Sequence, residues 1–174
     1  IRDFKEVTKK QLEQNILKEL KTLMHKKNLI DNVKVTINQA GDDIDINLYD
    51  ANNKILDRGD LSMGERQMYA SALLKSLVCE SEIDFPVFID SPMQKFDTEH
   101  AQNVLKEFYP SVSNQVVLFP LLIKELTEHE YNNILKPYVN KTFIIKNFNS
   151  EWSQFDEVNP DELIMKYKEE NNAN

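Results

Sequence analysis

Between residues 3 and 27 the apolar positions Val7, Leu12, Ile16, Leu20, Leu23 and Met24 recur mostly at steps of three and four, the spacing of one helix face. Neither Gly nor Pro interrupts the run. The stripe is narrow and the remaining positions are rich in Lys, which predicts a long helix packed on one side or paired in a coiled coil. The step from Val7 to Leu12 breaks a strict heptad. After Asn28 the period falls to two. Val33, Val35 and Ile37 alternate with polar residues, and so do Ile44, Ile46 and Leu48 after Gly41-Asp42-Asp43. That is the pattern of a β-hairpin. Asn52-Asn53 marks a further turn and Ile55-Leu56 a short strand.

From Ser62 onward helical and strand patterns take turns. Ser62 and Glu65 stand in the S-x-x-E arrangement of a capping box, which predicts a helix from Ser62 to about Cys79. Phe85–Ile89 is a short apolar run closed by Asp90 and broken by Pro92, as expected of a buried strand. A helix over 98–108, a buried strand over 115–119, a helix over 121–135 and a strand over 142–146 follow. Asn159-Pro160-Asp161-Glu162 starts a last helix, with Pro at its first position and acid in its first turn. Alternation of this kind predicts an α/β fold with a mainly parallel sheet flanked by helices. Residues 1–28 are expected to be the end of a coiled-coil arm helix, and 29–174 a lobe that opens with the hairpin and continues into the alternating part.

Composition narrows the function classes. The 41% hydrophobic share is enough for a packed core, and no apolar run reaches the ~18 residues of a membrane span. The net charge is −8 and uneven: residues 1–27 hold eight basic and four acidic side chains, the rest 13 and 25. An acidic body disfavours nucleic acid lying across it, whereas the basic helix suits phosphate contact or a solvated face. One cysteine, Cys79, permits no internal disulfide, and its apolar setting predicts a buried thiol. The charged start, Ile1-Arg2-Asp3, is no signal peptide, and the expectation is an internal piece of a longer cytoplasmic protein.

Three motifs carry the chemistry. Leu61-Ser62-Met63-Gly64-Glu65-Arg66-Gln67 opens a helix, whose N-terminal amides attract phosphate. Ser62 adds a hydroxyl donor and Gly64 permits close backbone approach. Val87-Phe88-Ile89-Asp90 ends a strand in a carboxylate suited to Mg²⁺. Phe96-Asp97 follows. Taken singly, each has a plain alternative: a helix cap, a strand-end acid, a helix-start acid. Together, in this order, they resemble the signature motif, Walker B strand and D-loop of ABC ATPases, in the form used by SMC-like DNA proteins. The string from Leu61 to Ala70, with Phe88-Ile89-Asp90-Ser91-Pro92 and Phe96-Asp97-Thr98-Glu99-His100, resembles the DndD-like DNA sulfur-modification ATPases. Lamassu-type SMC subunits of anti-phage systems are a near alternative.

The resemblance implies the C-terminal lobe of an ABC-type head. Ser62, Met63, Gly64 and Glu65 would then contact ATP held on a second head, Asp90 would serve Mg²⁺ directly or through water, Ser91 would lie beside the attacking water, and Asp97 would cross the dimer seam. ATP and Mg²⁺ are the implied cofactors. The implied partners are an N-terminal Walker A lobe of the same protein, a second head in a homodimer, DNA and an effector or nuclease subunit, with no membrane. Three departures matter. None of Gly41, Gly59 and Gly64 begins a Walker A loop. Ser91 stands where most ABC ATPases have Glu, and serine is a poor base at neutral pH; Glu99 or a residue of the other lobe is an alternative base. Pro120-Leu121-Leu122 occupies the place of the switch histidine. The expectation is therefore ATP-driven closure with slow hydrolysis; the alternative is a non-hydrolysing ABC-like scaffold that recruits a DNA-acting effector. A transporter's nucleotide-binding domain fits less well, because a helical arm enters just before the lobe.

Overall fold

The structure, a computed structural model, describes residues 2–24, 28–38, 43–81, 83–96, 98–148 and 151–172. Helix α1 (Arg2–Leu23) leads into strands β1 (Asn32–Ile37), β2 (Ile44–Tyr49) and β3 (Ile55–Leu56). Helix α2 (Met63–Ser81), strand β4 (Val87–Asp90), helix α3 (Thr98–Asn103) and strand β5 (Val116–Phe119) follow. The chain closes with a one-turn helix α4 (Glu128–Glu130), strands β6 (Thr142–Phe148) and β7 (Trp152–Val158), and helix α5 (Leu163–Asn172). It divides into two compact units. One is Ile1–Val87 with Lys95–Val117, the other Phe88–Gln94 with Leu118–Asn174.

In the first unit the hydrophobic stripe of α1 is used unevenly. Ile16, Leu20 and Leu23 are buried against α2 and β1, while Val7 is exposed. Burying a side chain of that size contributes about 1.5–3 kcal/mol, so the second half of α1 carries its attachment. Three polar ties lie there as well. Glu13 Oε1 accepts the Val35 amide at 2.8 Å, which occupies a donor on the outer edge of β1. Asn15 Nδ2 donates to Glu80 Oε1 at 2.5 Å, and Lys75 Nζ meets Glu19 at 2.9 Å. Helix α1 ends at Leu23; His25–Lys27 and the turn residues Gly41-Asp42 lie outside the described residues. The expected hairpin forms, with Val33 opposite Leu48 and Ile37 opposite Ile44. At the Asn52-Asn53 turn, Asp50 Oδ1 accepts the amides of Asn52 and Lys54, and Asn53 takes φ 60°. Helix α3 widens at Val104–Phe108 and tightens at Tyr109–Ser111. Pro110 in that last turn cannot donate and crowds the carbonyl four residues back, which ends regular α-helix there.

The α/β class stands, with differences inside it. Val87 N–H bonds Gln115 O and Ser91 N–H bonds Phe119 O. Both bonds advance along the two strands together, so β4 and β5 pair in parallel. Among the described residues that is the extent of the mainly parallel sheet, because β1–β2–β3 and β6–β7 are antiparallel. Only three residues join Phe148 to Trp152, too short a connection for a parallel crossover. Nor are β4 and β5 buried strands: Val87 is buried, but Phe88 is 63% exposed and β5 is half-buried throughout. Cys79 is exposed rather than buried, since it lies in the last turn of α2, beyond Ser76, the last buried residue of that helix.

In the second unit the helix expected over 121–135 is interrupted. Leu121–Leu126 is a closed turn bridged between Leu122 and Leu126, and helix begins only after Thr127. Thr127 Oγ1 accepts the Glu130 amide while Glu130 Oε2 accepts the Thr127 amide, a second capping box. Tyr131 then fills the core at 2% exposure and donates its phenol to Pro160 O at 2.7 Å. Burial, and secondarily the charge of Asp161, push that phenol up to about 12. Below the unfolded value near 10 the bonded, protonated phenol stabilises the fold in full, and this contribution is lost as pH rises through 12. Tyr131→Phe is therefore expected to be less stable by about 1 kcal/mol at pH 8. Above about pH 10 the wild type loses ~1.4 kcal/mol per unit, so in paired urea titrations the gap should close at about pH 11 and reverse beyond it; a gap independent of pH would contradict the assignment.

Candidate functional site

The approach to α2 is built by arginines. A 3₁₀ turn, Arg58–Asp60, is capped by Asp57, which accepts the Gly59 amide at 2.7 Å. Arg66 folds back from the first turn of α2 and donates through Nε to Leu61 O (2.9 Å) and through Nη2 to Gly59 O (3.0 Å). Arg58 reaches Ile46 O at 3.2 Å and stands 5.4 Å over the Tyr69 ring. Burial raises the Tyr69 pKa, against the pull of that guanidinium. The motif string contains Arg66, yet its backbone-holding role is invisible in sequence.

At the helix start the expected capping box is present. The Ser62 amide donates to Glu65 Oε2 at 2.8 Å and the Glu65 amide to Ser62 Oγ at 3.2 Å. Ser62 is exposed. As an acceptor in the cap, its hydroxyl still carries a proton to donate outward. Met63 is 56% exposed beside it. Gly64 serves an approach the sequence did not identify. A Cβ there would stand 2.9 Å from Lys95 O, and Gln67 Oε1 accepts the Lys95 amide at 3.2 Å. The start of α2 thus grips the peptide of Lys95, two residues before Asp97.

Asp90 and Ser91 lie together in the second unit, at the end of β4. Asp90 is exposed, and the Ser91 hydroxyl donates to Asp90 Oδ1 over a long 3.4 Å. Ser91 has φ 47°, a left-handed conformation that costs a non-glycine residue about 1–2 kcal/mol. Ser91 N–H bonds Phe119 O. Pro92 and Met93 beyond it are buried. Asp97, expected to cross a dimer seam, lies outside the described residues. Among the described residues no three His, Cys, Asp or Glu side chains gather as a metal cage. An exposed carboxylate with a hydroxyl beside it fits Mg²⁺, which takes one or two carboxylates and fills its shell with waters and phosphate oxygens. No helix among the described residues is long and apolar enough to cross a membrane.

This architecture matches solved structures. One chain, solved in work on ATP-driven dimerization and DNA-stimulated activation of SMC ATPases, aligns with TM-score 0.63 over 97% of this chain and 96% of its own length, at 11% identity. The Smc head domain with a coiled coil and joint from Pyrococcus yayanosii aligns with TM-score 0.61 over 93% of this chain, at 11% identity. The Smc head bound to the C-winged helix domain of ScpA aligns with TM-score 0.59 over 91%, at 13% identity. The fold is that of SMC head domains. This chain spans 29% and 46% of the length of the last two. No family model and no curated protein matches the sequence.

Proposed function

We propose that this chain is the C-terminal half of an SMC-like ATPase head. Joined to a Walker A lobe from the N-terminal part of the same protein, it sandwiches ATP against a second head and couples binding and slow hydrolysis to movement of an arm rooted in residues 1–28. The observation that carries the reading is the start of α2, where a capping box holds an exposed Ser62 whose hydroxyl proton is still free to donate, inside an SMC-head fold. A phosphate of ATP bound to the second head would take that hydroxyl, and the helix N-terminus would attract its charge. Asp90 would hold Mg²⁺, whose bound charge neutralises the phosphates. Ser91 would orient water without taking its proton. The half-exposed α1 supports its role as an arm root.

The motif string supports a DndD-like setting, in cytoplasmic DNA modification or anti-phage defence, with a Lamassu-type subunit as the near alternative. DNA at the arms or joined heads and an effector or nuclease subunit are the partners proposed. One of the similar Smc heads is seen with a ScpA domain, a precedent for a head that docks an accessory protein. Ser91 also favours a second reading, a head that closes on ATP as a scaffold without useful turnover.

Ser62→Arg in the complete head tests the proposal. Loss of one hydrogen bond to a charged phosphate is worth about 1.5–3 kcal/mol, or roughly 10–100-fold, before the bulk of arginine is counted. ATP-dependent dimerisation, read by light scattering, is expected to vanish while ATP still binds each head. Unchanged dimerisation would overturn the reading.

A further inference from the structure

Glu125 ties together the ends of β4 and β5. Its Oε1 accepts the amide of Met93, just past the Asp90-Ser91 corner. Its Oε2 accepts the amide of Leu121, just past β5, at 3.1 Å. One half-buried carboxylate therefore holds a backbone donor from each segment. The Ser91 amide meets Phe119 O between them, so the corner is fastened on both sides.

The conformations at either end show what this fastening resists. Ser91 is left-handed at φ 47° and Ile123 at φ 72°. For a β-branched side chain the second is a true outlier, and such conformations persist only where surrounding contacts over-determine them. Around Ile123, Leu121 O accepts the Glu125 amide at 2.8 Å and the Ile123 amide bonds Leu126 O at 2.8 Å. Leu122 and Leu126 anchor the loop in the core. The strained turn delivers Glu125 to Met93, and Pro92, fixed in its own φ, passes that restraint to Ser91.

We infer that Glu125 is a positioning residue, which holds the Asp90-Ser91 corner in the orientation that serves Mg²⁺ and the attacking water. This inference rests on the ATPase reading above. Glutamine has the same size but presents an amide NH₂ to one of the two backbone donors, so Glu125→Gln removes one tie without opening a cavity.

The test uses the complete head, wild type and Glu125→Gln, with two readouts. Amide hydrogen exchange at Met93 and Leu121 is expected to quicken about tenfold or more at one or both sites, from loss of a charge-assisted bond. The kcat for ATP is expected to fall roughly 10–100-fold, with KM for ATP within about twofold, as for an interaction that orients groups rather than binds substrate. Unchanged exchange at both amides would overturn the tie. Quickened exchange with unchanged kcat, or a variant that no longer folds, would reduce Glu125 to a structural role and overturn the inference. A wild-type head that neither binds nor hydrolyses Mg-ATP would overturn the ATPase reading and this inference with it; that failure is distinct because it appears before any substitution.

Discussion

Asp90→Ala is expected to reduce Mg-ATP hydrolysis by the complete head about 10²–10³-fold, while its melting temperature stays within a degree or two of wild type. The two halves of this expectation have separate causes. Asp90 is exposed at the end of β4, and its one described bond is the long one from Ser91 Oγ. Exposed groups away from core, caps and networks change stability by about 0.5 kcal/mol or less. Its chemistry is another matter. Mg²⁺ relies on one or two protein carboxylates, and charge stabilisation at a phosphoryl centre is worth several kcal/mol. Wild-type turnover without partners is expected below about 1 per second, under the ordinary enzyme median of ~10 per second, because Ser91 is a weak base. A fast wild type, or an alanine variant that hydrolyses normally, would contradict this account of the corner. Loss of cellular function with intact folding would favour the nucleotide-dependent reading over the scaffold.

Gly64→Val is expected to damage both stability and head closure. Two effects compete at this position. Replacing helical glycine with a residue that has a side chain usually gains some tenths to ~1 kcal/mol. Here the new Cβ would meet Lys95 O, a backbone atom, at 2.9 Å. Overpacking of that kind costs about 1–3 kcal/mol, and the valine methyls add to it. The clash therefore wins. The peptide of Lys95 has to move, Gln67 loses its bond to the Lys95 amide, and the branched side chain crowds the start of α2. Thermal melts should show destabilisation of about 1–2 kcal/mol, and ATP-dependent dimerisation should fall with it. A valine variant as stable as wild type would mean that the 92–95 turn yields easily and that Gly64 is not there for packing.

Two capping boxes show what the sequence made legible and what it did not. Ser62-x-x-Glu65 was readable because it preceded a long helix and lay in a recognisable motif. Thr127-x-x-Glu130 is the same signal, but the apolar run from Leu121 to Leu126 masked it by continuing the helical period through residues the chain folds as a turn. Strand β7 was hidden for a related reason. Trp152, Phe155 and Val158 are spaced by three, a helical rhythm, and the strand is set instead by its register with β6, where Phe155 faces Ile145 and Trp152 faces Phe148. Trp152 and Phe148 stack with centroids 4.2 Å apart, a contact between residues on two strands. The burial of β4 was overread because an apolar run reports what a strand is able to bury, not what covers it. At the candidate site, residue identities were legible while the holding groups were not. Arg66, Gln67 and Glu125 act on backbone atoms, and backbone partners leave no trace in residue type.

The root of α1 has a mechanical consequence. Glu6 and Val7 near its start are exposed, while Glu13, Asn15 and Glu19 are tied to Val35, Glu80 and Lys75. A hydrogen bond loses most of its energy within a fraction of an ångström, whereas apolar surfaces slide. A sideways load on the free end of α1 therefore meets a row of brittle fasteners and yields in steps rather than by smooth bending. Lys75 also donates to Ser111 at 3.0 Å and lies 5.5 Å over the Phe108 ring. The Lys75 ammonium thus gives torque entering through α1 a direct polar path to the turn that ends α3.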